Sequence, residues 1–155
     1  MSVDTVREYF RQWNMQDKVM EFPVSSATVS EAALALHTEE RRIAKTMSFL
    51  VEENPILIVM AGDAKVDNKK YKEKFHKKAI MIKPDALEEY VGHPMGGVCP
   101  FAIKEGVTVY LDESLKRFET VFPACGSGNS AIELTLEQLE ECSGYTEWID
   151  VSKLC

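Results

Sequence analysis

Lys45 is the first residue whose surroundings demand an explanation. It stands inside Arg42-Ile-Ala-Lys-Thr-Met-Ser-Phe49 as a lone cation among apolar neighbours. Such an ammonium either snorkels to solvent along its aliphatic stem or meets an anionic partner. Facing a pocket, it would hold a phosphate or polarise a carbonyl. A different chemistry is offered by Gly96-Gly97-Val98-Cys99-Pro100-Phe101. Paired glycines let the backbone approach a ligand closely with N–H groups free to donate, and Pro100 fixes the exit geometry. The same residues also suit a plain tight connection. A second turn, Cys125-Gly126-Ser127-Gly128-Asn129-Ser130, has N–H groups and the Asn129 amide that would complete a polar wall; an ordinary hairpin turn is its simpler reading.

Other constellations are weaker. Cys99 lies six residues after His93, which invites a Cys–His nucleophile. Nothing in the spacing identifies a partner that lowers the thiol pKa, and an inert buried cysteine explains it equally. His37, His76 and His93 show no HExxH or HxH spacing, so no metal site is expected. No P-loop, GxGxxG or GxSxG motif is present, so no cofactor is expected either. The lysines at 65, 69, 70, 72, 74, 77 and 78 form a run broken by Tyr71 and Phe75. Aromatic and basic residues four apart give a helix one packed side and one cationic side. That side is either a solvated face or a phosphate-contacting surface whose binding weakens with salt.

These residues need elements to hold them. Val3 to Trp13 has Val6, Tyr9, Phe10 and Trp13 on one helical face, and residues 1–18 read as an N-terminal helical extension. Val19 to Val24 reads as a short strand. Thr28-Val-Ser-Glu31 has capping-box spacing for a helix through Leu36, and Thr135-Leu-Glu-Gln138 repeats it for one ending near Gly144. Arg42 to Val51 reads as a strand, with helix as the alternative, and Pro55 to Ala61 as a buried strand. Helices are expected over Asn68–Lys78 and Pro84–Tyr90. Further strands are expected over Val107–Leu111, Thr120–Ala124, Ala131–Leu134 and Trp148–Val151, and Val91 to Pro100 as a structured loop. Strands and helices mix without strict alternation, which predicts an α+β fold with a mixed sheet.

The 155 residues suffice for one domain, with no internal repeat or dividing linker. No apolar run approaches the roughly 18 residues of a membrane span, and the N-terminus lacks a signal-peptide core. The four cysteines form no CxxC pair, so reduced thiols in a cytoplasmic setting are expected. The net charge of −7 argues against a polyanionic partner, but its distribution is uneven. Residues 65–104 carry nine basic and five acidic side chains, whereas residues 105–155 carry three and ten. The basic middle creates a local field that a polyanion can use.

In order along the chain stand Thr28-Val-Ser-Glu-Ala-Ala33, Ile43-Ala-Lys-Thr46, Ala61-Gly-Asp63 and the lysine-rich helix. Gly96-Gly-Val-Cys-Pro-Phe101, Val109-Tyr-Leu-Asp-Glu-Ser-Leu115 and Gly126 followed by Ile132-Glu-Leu-Thr come next. Over about residues 20–150 this series resembles the YbaK/EbsC family, related to the editing insertion domain of bacterial prolyl-tRNA synthetase. The resemblance implies a single compact domain with a curved mixed sheet around a small pocket. It implies hydrolysis of an amino acid wrongly esterified to tRNA, as in Cys-tRNA(Pro) or Ala-tRNA(Pro) deacylases, with prolyl-tRNA synthetase as a possible companion.

By that resemblance Lys45 is the active-site lysine. Gly96 to Pro100 is the loop lying against the ester and terminal adenosine, and Gly126 belongs to the second pocket-lining turn. The expected machinery is then Lys45 with the Gly96 and Gly97 amides as oxyanion donors. Val98, Cys99, Pro100, Gly126, Ser127 and Asn129 are expected against the substrate. Contact of Lys69, Lys70, Lys74 and Lys77 with the acceptor stem is an inference from charge. Asp112 matches an acidic position read first as structural, and Ala102 departs from a glycine common in the family. Two other classes compete: a non-catalytic module keeping the pocket for a ligand or partner protein, and a thiol redox protein built on Cys99 and Cys125.

Overall fold

The computed structural model describes residues 3–155. Among these residues five α-helices and ten strands follow one another. Helix α1 (Val3–Phe10) leads to strand β1 (Met20–Glu21), α2 (Val29–Leu36), β2 (Ile43–Val51), β3 (Asn54–Ala61) and β4 (Ala64–Val66). Then come α3 (Asn68–Phe75), α4 (Leu87–Tyr90), β5 (Thr108–Asp112), β6 (Thr120–Pro123), β7 (Ser130–Ala131) and β8 (Leu134–Thr135). The chain closes with α5 (Leu136–Ser143), β9 (Glu147–Ile149) and β10 (Ser152–Leu154). The main sheet has the order β8-β6-β2-β3-β5-β9. It is mixed: β2–β3 and β6–β8 are antiparallel, while β2–β6, β3–β5 and β5–β9 are parallel. Two small antiparallel pairs, β1–β7 and β4–β10, flank it.

Strand β3 runs through the middle, with Leu57 to Ala61 fully buried on both faces, as its unbroken apolar run requires. Helix α2 begins as its sequence demands, with Thr28 Oγ1 accepting from the Glu31 N–H. Helix α5 carries the complete reciprocal box between Thr135 and Gln138. Asp112, fully buried at the end of β5, accepts from the N–H groups of Ser114 and Val151 and from the Ser152 hydroxyl. It ties the sheet to the last strand pair, the structural role expected of it.

Several boundaries differ from the sequence reading. The expected strand over Ala131–Leu134 is two fragments, β7 and β8, because Ile132 N–H turns to the Pro123 carbonyl between them. Helix α3 stops at Phe75, where His76 takes a left-handed φ of 60° and ends the helix. The N-terminal segment is helical but integral to the core. Val6 and Phe10 are fully buried, and the Phe10 ring lies 4.7 Å from that of Phe101. Helix α1 thereby buttresses the exit of the Gly96–Phe101 loop.

Candidate functional site

One edge of β2 is only partly covered. Its start pairs with β6, the register ending at Ala44↔Pro123. Its far end is covered by residues 80–82, with Ile82 N–H donating to the Ser48 carbonyl and Leu50 N–H to the Ile80 carbonyl. Between these two partners the strand edge is open, and there a cavity of about 250 Å³ lies. Ile43 to Ser48 form its floor. Ser26 to Val29 and Ala32, from the start of α2, form one wall, and Phe122, Ala124, Ser130 and Ala131 another. Met81, Ile82, Met95, Gly96 and Val98 close the remainder. The lining is mostly apolar, and the volume lies below the ~300–1,000 Å³ of pockets for drug-sized ligands.

Lys45 and the glycine bend meet at this cavity, since Lys45, Gly96 and Val98 all line it. The Lys45 ammonium makes no hydrogen bond or ion pair among the described residues. Burial lowers its pKa below the ordinary 10.5, opposed by the fields of Cys155 and Asp63. Asp63 is itself clamped by Arg117, whose Nη2 and Nη1 donate to its two oxygens at 2.6 and 3.1 Å. That clamp holds the Asp63 carboxyl below the usual carboxylate range.

The two Gly-rich loops pack directly on each other. Gly96 has φ +90°, a conformation that favours glycine. A Cβ on Gly97 would sit 2.6 Å from Gly126 C and from Ser127 N, so only glycine permits this approach. This packing corrects part of the expected site. Gly97 does not line the cavity, and its N–H donates to the Pro94 carbonyl at 3.0 Å, closing a turn. Gly126 and Ser127 stand behind the cavity wall, supporting Gly97. Asn129 also lies outside the lining. Its Nδ2 donates to the Phe22 carbonyl at 3.0 Å and its carbonyl accepts from Phe22 N–H, joining this turn to the segment that leads into α2.

Pro100 does not line the cavity, and Cys99 is fully buried in the core behind it. The Cys99 thiol does lie 3.5 Å from His93 Nε2. That nitrogen is also 2.6 Å from the Phe101 carbonyl, which can only accept, so Nε2 carries the proton and cannot take one from the thiol. Burial pushes the Cys99 pKa up to about 12. A nucleophilic or redox Cys99 has no support in this geometry. Cys125 and Cys142 are buried too, with thiol pKa values likewise raised by burial, and Cys155 alone is exposed. Ellman's reagent should therefore titrate one thiol in the native protein and four in denaturant; fast native reaction of a second would contradict the packing.

Helix α3 contributes nothing to the cavity lining. Three of the expected tRNA-contacting lysines in and just after it face carboxylates instead: Lys70 pairs with Asp150 at 3.0 Å, Lys74 with Glu147 at 2.9 Å and Lys77 with Glu52 at 3.2 Å. Tyr71 and Phe75 bury the other side against Phe49 and Tyr110. Lys70 and Lys74 are thus matched by the acidic C-terminal region, which spacing within the helix could not disclose. Among the described residues Lys69 has no such pairing. Ala102 adopts φ +54°, a left-handed backbone that costs an alanine roughly 1–2 kcal/mol and that glycine adopts freely.

The sequence reading missed Ser26, Thr46, Met81, Met95 and Ser130, all of which line the cavity. Thr46 had a signal in its adjacency to Lys45; the others reach the site only through tertiary packing. Among the described residues no cluster of His, Cys, Asp or Glu is arranged to hold a metal, and no helix is long and apolar enough to cross a membrane.

Residues 24–142 match the profile of the aminoacyl-tRNA editing domain, and the chain belongs to that family. It is 54% identical over 154 residues to the uncharacterized protein YwhH of Bacillus subtilis (strain 168), covering 99% of this chain and 98% of that one. It is 32% identical over 95 residues to the proline–tRNA ligase of Limosilactobacillus fermentum, a match spanning 57% of this chain and 17% of the ligase. A solved structure described as a candidate trans-editing enzyme for prolyl tRNA synthetase superposes with a TM-score of 0.87 at 26% identity, covering 99% of both chains.

Proposed function

We propose that this protein is a free-standing aminoacyl-tRNA deacylase, acting on tRNA(Pro) that carries a small wrong amino acid such as alanine or cysteine. The observation that carries this reading is the joint lining of one cavity of about 250 Å³ by Lys45 and the Gly96 bend. An aminoacyl group is small and largely apolar apart from its ammonium, which suits such walls. The likeness to proline–tRNA ligases and to the candidate trans-editing enzyme supports tRNA(Pro) as the carrier.

In this reading the aminoacyl ester enters past Met81 and Met95, and Lys45 holds a nearby phosphate or the ester carbonyl. Water adds to the carbonyl carbon, and the bond to the ribose oxygen breaks. The neighbouring ribose hydroxyl relays one proton of the water to that leaving oxygen. The products are the free amino acid and tRNA with its terminal hydroxyl restored. The cavity lining holds no His, Asp, Glu, Tyr or Cys, and with Lys45 acting as a cation the general-base task falls to the substrate.

The experiment is single-turnover hydrolysis of Ala-, Cys-, Ser- and Pro-tRNA(Pro). The reading expects clearance of at least one small mischarged species and sparing of Pro-tRNA(Pro). Hydrolysis of none would transfer the cavity to a non-catalytic binding module.

A further inference from the structure

Strand β2 is regular against β3 from Ala44↔Ala61 through Val51↔Asn54, with no bulge. In an antiparallel ladder alternate residues direct both N–H and C=O to the same neighbour. Ser48 C=O and Leu50 N–H bond to residues 82 and 80, away from β3. Thr46 shares their parity, so its N–H and C=O also point away from β3. They point to where neither neighbouring strand reaches: β6 stops at the partner of Ala44, and residues 80–82 begin opposite Ser48. Pro84, next along that segment, has no N–H to offer and is itself on the cavity wall. Among the described residues neither Thr46 main-chain group has a hydrogen-bond partner, and Thr46 forms part of the cavity floor.

An open strand edge is a template for another strand. An aminoacyl ester has the two groups that one residue of such a strand uses: an α-nitrogen donor and a carbonyl acceptor. Opposite Thr46 it can exchange both bonds, as a hydrogen-bonded residue pair does in any antiparallel sheet. We infer that the Thr46 main chain binds the aminoacyl group as a one-residue antiparallel strand, its C=O accepting from the α-ammonium and its N–H donating to the ester carbonyl oxygen. The inference rests on the deacylase reading. It also supplies a donor in place of the Gly97 N–H, which is already committed to the Pro94 carbonyl. As water adds, negative charge grows on the carbonyl oxygen, and the Thr46 N–H stabilises it. The pairing reads only atoms common to all amino acids, leaving side-chain selection to the apolar walls.

The test removes each half of the exchange. Thr46→Pro deletes the N–H while sparing the β2–β3 ladder, since that N–H faces away from β3 and proline is tolerated at strand edges. Substituting the α-hydroxy analogue of threonine at 46 replaces the same N–H with an ester oxygen without the proline ring. Each should lower kcat/KM for Ala-tRNA(Pro) by about 100-fold or more, the usual loss for one oxyanion donor. On the substrate side, propionyl-tRNA(Pro) lacks the α-nitrogen. Corrected for uncatalysed hydrolysis, wild type should cleave it at least about 10-fold less well than Ala-tRNA(Pro), as expected for a lost charged hydrogen bond. If Thr46→Pro fails to fold by circular dichroism, the hydroxy-acid variant and the propionyl ester decide. Rates within threefold of wild type on Ala-tRNA(Pro) for a folded variant, or equal corrected rates for the two esters, would overturn the inference and leave the deacylase reading standing. Failure of wild type to hydrolyse Ala-, Cys- or Ser-tRNA(Pro) would overturn both.

Discussion

Lys45→Met is expected to abolish most deacylation, about 100-fold or more, while raising the melting temperature at pH 7. Lys45 lines the cavity, its ammonium has no hydrogen-bond or ion-pair partner among the described residues, and burial lowers its pKa. Loss of a cation from a preorganised site costs on the order of 100-fold in rate. Stability moves the other way. A base whose pKa falls on folding binds fewer protons folded than unfolded, so its charge opposes folding at any pH below the folded pKa. That penalty is relieved as pH rises from the folded value towards the unfolded 10.5. The gain from methionine should therefore be full at neutral pH and shrink as the solution approaches pH 10.5. Paired melting curves at pH 7 and 10 with single-turnover rates check both halves. A variant of lower melting temperature and unchanged rate would make Lys45 a structural residue.

The second large effect is expected at Gly97. In Gly97→Ala the new Cβ would lie 2.6 Å from Gly126 C and Ser127 N and 2.8 Å from Gly126 O. All three are backbone atoms, so the two loops must separate. Overpacking of this kind costs roughly 1–3 kcal/mol. A shift near 1 Å at the Gly96 wall is enough to cost about 100-fold in rate. Gly128 makes a useful contrast: a Cβ there meets only the Ala27 Cβ, at an ordinary 3.5 Å. Gly97→Ala should thus lose both activity and melting temperature, whereas Gly128→Ala keeps its melting temperature. Equal melting curves for Gly97→Ala and wild type would show that the loops do not pack as described.

Much of the architecture was legible because it is local. The apolar run through Ala61, the Thr28 cap and the Thr135 capping box name their elements without help from the rest of the chain. Strands β4 and β10 were not legible. Each is three residues long and exists only through pairing with the other, 86 residues away at Val66↔Ser152. The same division runs through the site. Lys45 and Gly96 announce themselves by residue type, and Lys45 stands out because a cation within an apolar strand is costly. Cys99 and Gly126 were drawn towards the substrate by their place in the loops, yet they sit one layer back, where loop packs on loop. Lys70, Lys74 and Lys77 read as free because their carboxylate partners lie in the turn after β9, on β9 and in the β2–β3 turn. Thr46 illustrates the limit most clearly: its role arises from where two other segments stop, and no feature of residue 46 itself encodes that.

The most direct test is a crystal structure of the protein with 3′-alanylamino-3′-deoxyadenosine, whose amide link resists hydrolysis. The account predicts the alanyl group in the cavity between Thr46 and Gly96, with the adenosine at the Met81–Met95 mouth and the Lys45 ammonium turned towards the amide. Alanyl density elsewhere, or a Lys45 ammonium directed away from an occupied cavity, would contradict it.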